Sequence, residues 1–179
     1  MTQYLAVTAM GTDRPGIVNK LATLTASCDC DIIDSRVAIF GNEFSLIMLV
    51  GGSYSAIARL ENELPMHAAQ WELLTICKRT SEHTAVDFTS RLVVEFEGQD
   101  RRGTMKQITQ FLADRELDLA GFSSNARQSE DGSGLQQVEV RINATARVDL
   151  DALEANLSDL AEELNLTCRF RRMEGAQTD

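Results

Sequence analysis

The stretch Gly11-Thr12-Asp13-Arg14-Pro15-Gly16-Ile17 combines residue types suited to ligand chemistry. Glycine and proline permit a tight turn. The apolar run Leu5–Met10 before it and the spacing Ile17, Leu21, Leu24 after it set the turn between a strand and a helix. The first N–H groups of a helix have no intrahelical acceptor, so a turn that opens a helix can receive a carboxylate or a phosphate. Asp13, Arg14, Pro15, Gly16 and Ile17 are the first binding candidates; a turn that merely joins strand to helix is the alternative. Asp34, at the start of the next apolar run, is expected near this turn. With Asp13 it can hold an ammonium group, or it is a solvated loop acid.

Other clusters carry less. Cys28 and Cys30 are two apart, but a zinc site needs two further ligands, and His67 and His83 show no matching spacing. Incidental, reduced cysteines are expected. Arg169, Arg171 and Arg172 cluster in one short run; they suit an acidic partner or a solvated strand face. No Ser/His/Asp, Cys/His or paired-carboxylate arrangement stands out, and two histidines leave few general bases. There is no phosphate-binding glycine loop and no helix-turn-helix with a basic recognition helix. No enzyme activity, cofactor or metal is expected.

The elements that position the turn come as a repeat. Gly98-Gln-Asp100-Arg101-Arg102-Gly103 lies 87 residues after Gly11, and at the same offset Leu21 falls on Ile108, Leu24 on Phe111, Asp31 on Asp118 and Ile32 on Leu119. Asp100, Arg101 and Gly103 are therefore second, weaker candidates, because Arg102 replaces the turn proline. Each half reads as strand, helix, strand, strand, helix, strand. In the first half the strands are Leu5–Met10, Ile32–Phe40, Phe44–Val50 and Trp71–Cys77, with a hairpin at Gly41-Asn42. The second helix carries Ile57, Leu60 and Leu64, and Pro65 is expected to end it. In the second half the strands are Leu92–Phe96, Leu119–Arg127, Leu135–Ile142 and Thr167–Met173. Its helices carry Met105, Ile108 and Leu112, then Leu150, Leu153, Leu157, Leu160 and Leu164, and a polar hairpin spans Ser129 to Gly134. The fold class is α+β: two tandem ferredoxin-like βαββαβ domains, residues 1–83 and 84–179, joined through the polar segment Arg79–Asp87. Phe44–Val50 is apolar on both faces, unlike the alternating Val138–Ile142. The open face of the first sheet is thus expected to be covered by the other half or by a second chain.

Composition narrows the function. The chain has 179 residues and a net charge of −10, which opposes direct nucleic-acid binding. No secretory leader or membrane-spanning run is visible, so a soluble, cytoplasmic protein is expected.

The turn Asp-Arg-Pro-Gly-Ile after the first strand of a βαββαβ unit resembles the ACT domain, a small-molecule regulatory module of amino-acid metabolism. With Cys30-Asp-Ile-Ile-Asp34-Ser35-Arg36 and Phe40-Gly-Asn-Glu-Phe-Ser-Leu46, the chain resembles the glycine cleavage system transcriptional repressors of Gram-negative bacteria, a family of two ACT domains. The resemblance implies that Ser35 joins the binding residues and that the ligand is glycine or another small amino acid. It implies a DNA-binding transcriptional activator as partner, with repression of the glycine cleavage operon exerted through that contact. Regulation of a metabolic enzyme and a ligand-independent interaction module are the alternatives, and a homo-oligomer is compatible with all three. ACT-like pairs also precede catalytic domains, as in formyltetrahydrofolate deformylase. Such a domain needs well over a hundred further residues, and only Glu174–Asp179 follow the second module.

Overall fold

The computed structural model describes residues 2–81, 88–99, 101–128 and 134–174. The chain divides into two compact units, Met1–Thr84 and Ala85–Asp179. The first contains β1 (Gln3–Thr12), α1 (Ile17–Ser27), β2 (Asp31–Phe40), β3 (Glu43–Gly52), α2 (Tyr54–Gln70) and β4 (Leu74–Thr80). The second contains β5 (Ser90–Gln99), α3 (Thr104–Asp114), β6 (Asp118–Gln128), β7 (Gly134–Ala144), α4 (Leu150–Leu164) and β8 (Leu166–Glu174). Each sheet is four-stranded, in the orders β2-β3-β1-β4 and β6-β7-β5-β8, with every neighbouring pair antiparallel. This is the ferredoxin-like arrangement, present twice.

Alternation builds the two cores. On β1, Leu5, Val7 and Ala9 are buried, and on β3 so are Phe44, Leu46, Met48 and Val50. They meet Ile17, Leu21 and Leu24 of α1 and Ile57, Leu60 and Leu64 of α2 in one apolar cluster. Leu92, Val94, Phe96, Val138, Val140 and Ile142 pack in the same way against Ile108 and Leu112 of α3 and Leu153 and Leu157 of α4.

Three sequence expectations are corrected. Pro65 lies inside α2, which continues to Gln70. A proline in a helix interior forfeits one backbone hydrogen bond; here the buried stripe Leu60, Leu64, Ala68 runs straight past it, and burial outweighs that loss. The fourth strand begins at Leu74 rather than Trp71, because Trp71 is the C-cap of α2 and Glu72 takes a left-handed φ of 55°. Arg79 and Thr80 belong to β4, not to the linker, and the linker's residues 82–87 lie outside the described residues. On the face of β3 turned away from α1 and α2, Ile47 is 53% exposed. The polar hairpin also lies outside the described residues, apart from Gly134, which begins β7.

Candidate functional site

Three connections converge at one end of the first sheet. The turn from β1 to α1 lies against the β2–β3 hairpin, because Asp13 donates its N–H to the Asn42 carbonyl at 3.0 Å. It is also tied to the α2–β4 connection: the Arg14 guanidinium donates to the Trp71 carbonyl at 2.8 Å and pairs with Glu72 at 2.8 Å. Gly11 sits against that connection so closely that a Cβ would come within 2.8 Å of the Glu72 carbonyl oxygen and of Leu73. Glycine at position 11 therefore serves close packing within β1, while Gly16 supplies the bend, with a φ of 85°.

The start of α1 is open. Gly16 is its N-cap, and no side chain caps it. Ile17 donates its N–H back to the Arg14 carbonyl at 3.3 Å, so this donor serves the turn itself. The N–H groups that follow, on Val18 and Asn19, belong to the first helical turn and have no intrahelical acceptor. The contrast with α2 and α4 is sharp. Ser53 caps α2 by accepting from the Ala56 N–H at 3.1 Å, and Asp149 caps α4 by accepting from the N–H groups of Asp151 and Ala152. Only α1 and α3 begin at a glycine, and α3 repeats the geometry: Gly103 has φ 95°, no side-chain cap, and Thr104 donates its N–H to the Arg101 carbonyl at 3.3 Å. The turn thus keeps its backbone although Arg102 stands in place of proline. Arg101 differs from Arg14: its guanidinium lies 3.4 Å from the Gln99 side chain. Asp100 lies outside the described residues.

Asp34 and Ser35 are not brought to this turn within the unit. β1 and β2 both pair antiparallel with β3 and therefore run parallel; Asp34 shares a row with Leu49 and Ala6. From Ala6 to Thr12 is six residues of strand, roughly 20 Å at about 3.3 Å per residue. Asp34 pairs instead with Arg36, and Ser35 lies opposite Met48. The physical reason is directional: the turn follows the end of β1, whereas Asp34 lies near the beginning of a parallel strand.

The remaining candidates separate as well. Burial, and then Glu63 beside it, raise the Cys28 thiol; burial raises Cys30. Both stay protonated at neutral pH, and no group of three potential metal ligands occurs among the described residues. The three arginines of β8 divide between the two faces of the sheet. Arg172 turns to α4 and pairs with Asp151 at 2.6 Å and Glu154 at 2.7 Å, which pushes its guanidinium pKa further up. Arg169 and Arg171 lie opposite Glu95 and Val93 on the other face. Sequence reading missed the Arg172 pairs and the equivalent Arg79–Glu61 pair of the first unit. It also missed the Arg14 tie to Trp71. In both helix–strand pairs glutamate and arginine lie eighteen residues apart, a spacing with meaning only once helix and strand are docked.

A groove between α1 and α2 adjoins the Arg14 tie. Lys20, Glu63, His67 and Trp71 line it. The His67 and Trp71 rings are 5.3 Å apart, and the Lys20 ammonium lies 5.9 Å from the Trp71 ring centre. No described helix is long and apolar enough to cross a membrane.

Comparison with known proteins places this geometry. The ACT domain family model matches residues 3–78, the first unit. The chain is 32% identical over 163 residues to the glycine cleavage system transcriptional repressors of Escherichia coli (strain K12) and Shigella flexneri, covering 90% of this chain and 86% of theirs. A crystal structure assigned as a glycine cleavage system transcriptional repressor superposes with a TM-score of 0.77 at 34% identity, over 98% of this chain and 99% of that one. A protein of unknown function from Galdieria sulphuraria shares the fold, with a TM-score of 0.76 at 21% identity, over 97% of this chain and 99% of that one. The chain therefore belongs to the family of glycine cleavage system transcriptional repressors, regulatory tandem ACT proteins rather than enzymes.

Proposed function

We propose that the chain is a cytoplasmic, amino-acid-responsive repressor that binds glycine at the first turn and acts on the glycine cleavage operon through a DNA-binding transcriptional activator. The observation that carries this reading is the start of α1 at Gly16, which no side chain caps, in a protein whose other helix type is capped by Ser53 and Asp149. The glycine carboxylate accepts from the N–H groups of Val18 and Asn19, where the helix dipole favours an anion. Asp13 faces the ammonium group. The second turn, at Arg101 and Gly103 with Asp100 beside them in sequence, offers the same backbone donors without the Arg14 tie and binds more weakly. Repression through a partner, rather than through DNA, accords with the net charge of −10.

Calorimetry of the whole chain against glycine, alanine and serine tests the site. Glycine is expected to bind, and Asp13→Ala to weaken it by roughly 1–3 kcal/mol, the cost of an unpaired charged partner. Unchanged affinity in Asp13→Ala removes the assignment. The regulatory step has its own test, because coupling is reciprocal. Glycine and the activator must lower each other's affinity by one common factor, about 5- to 150-fold for a coupling of roughly 1–3 kcal/mol. Equal glycine affinity with and without saturating activator refutes it.

A further inference from the structure

The open face of the first sheet, the one turned away from α1 and α2, is apolar where its counterpart in the second unit is charged. Strand register sets out both faces in rows. In the first unit one row reads Asp34, Leu49, Ala6, Lys78, the next Arg36, Ile47, Thr8, Ile76, and the next Ala38, Ser45, Met10, Leu74. The equivalent rows of the second unit read Gly121, Arg141, Val93, Arg171; then Ser123, Glu139, Glu95, Arg169; then Asn125, Gln137, Glu97, Thr167. Both faces lie on the same fold, and only one is lined with aliphatic side chains. In the first unit Ile47 is 53% exposed, Leu74 71%, Ile76 70% and Met10 45%. Contiguous exposed apolar surface of this kind marks a contact with another molecule.

We propose that this face pairs with the same face of a second copy of the chain, as an isologous sheet-on-sheet dimer. The rows themselves argue for a second copy. A two-fold axis parallel to the strands brings each row against itself reversed, since β2 and β4 are the two edges of the sheet. Asp34 of one copy then meets Lys78 of the other, and the reverse, which gives two opposite-charge contacts from a single row. Ile47 meets Thr8, Met10 meets Ser45, and Ile76 covers the aliphatic stem of Arg36. No like charges oppose one another. In the second unit the same operation sets Arg141 against Val93 and Arg171 against Gly121, so neither charge finds an opposite one, and it sets Glu139 against Glu95. Its face is therefore not self-complementary. Alignment of two twisted sheets at about −30° and 10 Å apart is an ordinary packing mode. Four strands about 4.8 Å apart and roughly 25 Å long present on the order of 500 Å² per copy. Twice that area reaches the roughly 1,000 Å² a specific interface needs, so a reversible dimer is expected.

Sedimentation equilibrium of the full chain over a wide concentration range tests the proposal, with circular dichroism confirming that each variant is folded. Wild type is expected to show a monomer–dimer equilibrium. Ile47→Glu changes a residue exposed in the isolated chain, so it is expected to leave the fold intact and weaken the dimer at least tenfold. The charge pair gives a second, independent measure. Asp34→Lys and Lys78→Asp are each expected to weaken the dimer, and the double variant to restore it, because the exchanged charges face each other again. A chain that stays monomeric, a dimer insensitive to Ile47→Glu, or a double variant no better than the singles overturns the proposal. If the wild type is monomeric and Ile47→Glu instead abolishes binding of the DNA-binding activator, the face belongs to that partner and the dimer is refuted.

Discussion

Arg14 donates to the backbone carbonyl of Trp71 at 2.8 Å, so the turn that opens α1 is held to the residue that closes α2. A guanidinium at a helix C-terminus satisfies an orphan carbonyl and faces the negative end of the helix dipole. Arg14→Ala is therefore expected to cost the first unit about 1 kcal/mol, the half-exposed pair to Glu72 adding little. Trp71 is the only tryptophan in the chain, so its fluorescence reports this contact without labelling. The variant should shift Trp71 emission and lower the unfolding temperature. A spectrum identical to wild type in the folded state is the contrary result.

The left-handed conformations of Gly16 and Gly103 make a paired prediction. An L side chain at such a φ costs roughly 1–2 kcal/mol, and neither site offers neighbours within 4 Å that could add or remove strain. Gly16→Ala and Gly103→Ala are expected to destabilise their units by similar amounts, measured by denaturant unfolding. A loss in one unit alone contradicts the equivalence of the two turns.

Gly11 and Gly98 are constrained by contact instead. A Cβ on Gly98 would lie 2.6 Å from the Leu166 side chain and 3.0 Å from the Asn165 carbonyl oxygen, as at Gly11 it would crowd Glu72 and Leu73. Alanine at either position is expected to cost about 1–3 kcal/mol by overpacking. Gly98→Ala combined with Leu166→Ala should cost less than the sum of the two single losses, because the closest contact is with that side chain. Strictly additive losses in the double variant, by equilibrium unfolding, argue against a steric cause.

Acid sensitivity follows from Glu61. Arg79 donates to both of its carboxyl oxygens, at 3.0 Å and 2.6 Å, and this hydrogen bonding holds the carboxyl below its ordinary value near 4.5. A carboxylate whose folded pKa is lowered contributes stability above its unfolded pKa and loses it as the pH falls through the folded one. The pair is partly exposed, so the contribution is below about 1 kcal/mol. Glu61→Gln should lower stability at pH 7 and flatten the decline below about pH 4.5. Parallel pH profiles for variant and wild type contradict this role.

The parts of the fold that were legible in the sequence are those set by local periodicity. Apolar runs identified β1 and β3, alternation identified β5 and β7, helical spacing identified α1 and α4, and the repeat tied the two halves together. Pro65 was misread because a stop signal acts locally while the buried stripe through Leu64 and Ala68 acts across the tertiary contact. Asp34 was misplaced because nearness to a turn depends on strand direction, which single residues do not encode. The open starts of α1 and α3 were legible through their glycines. The arginine ties at Trp71, Glu61 and Glu154 were not, since each joins residues that only docking of helix on strand brings together.

The contrast between Ile76 on β4 and Arg169 at the matching place on β8 has an evolutionary consequence. When a regulator is assembled from several copies of a module encoded by one gene, every substitution appears in all copies at once. No module can then become greasy while its twin becomes charged. Joining two modules in one reading frame lifts that restriction, because each module then has codons of its own. One half is free to specialise for adhesion while the other keeps a hydrophilic coat that limits runaway polymerisation. The ratio of the two kinds of surface is also fixed at one to one by the genetic linkage, whatever the expression level.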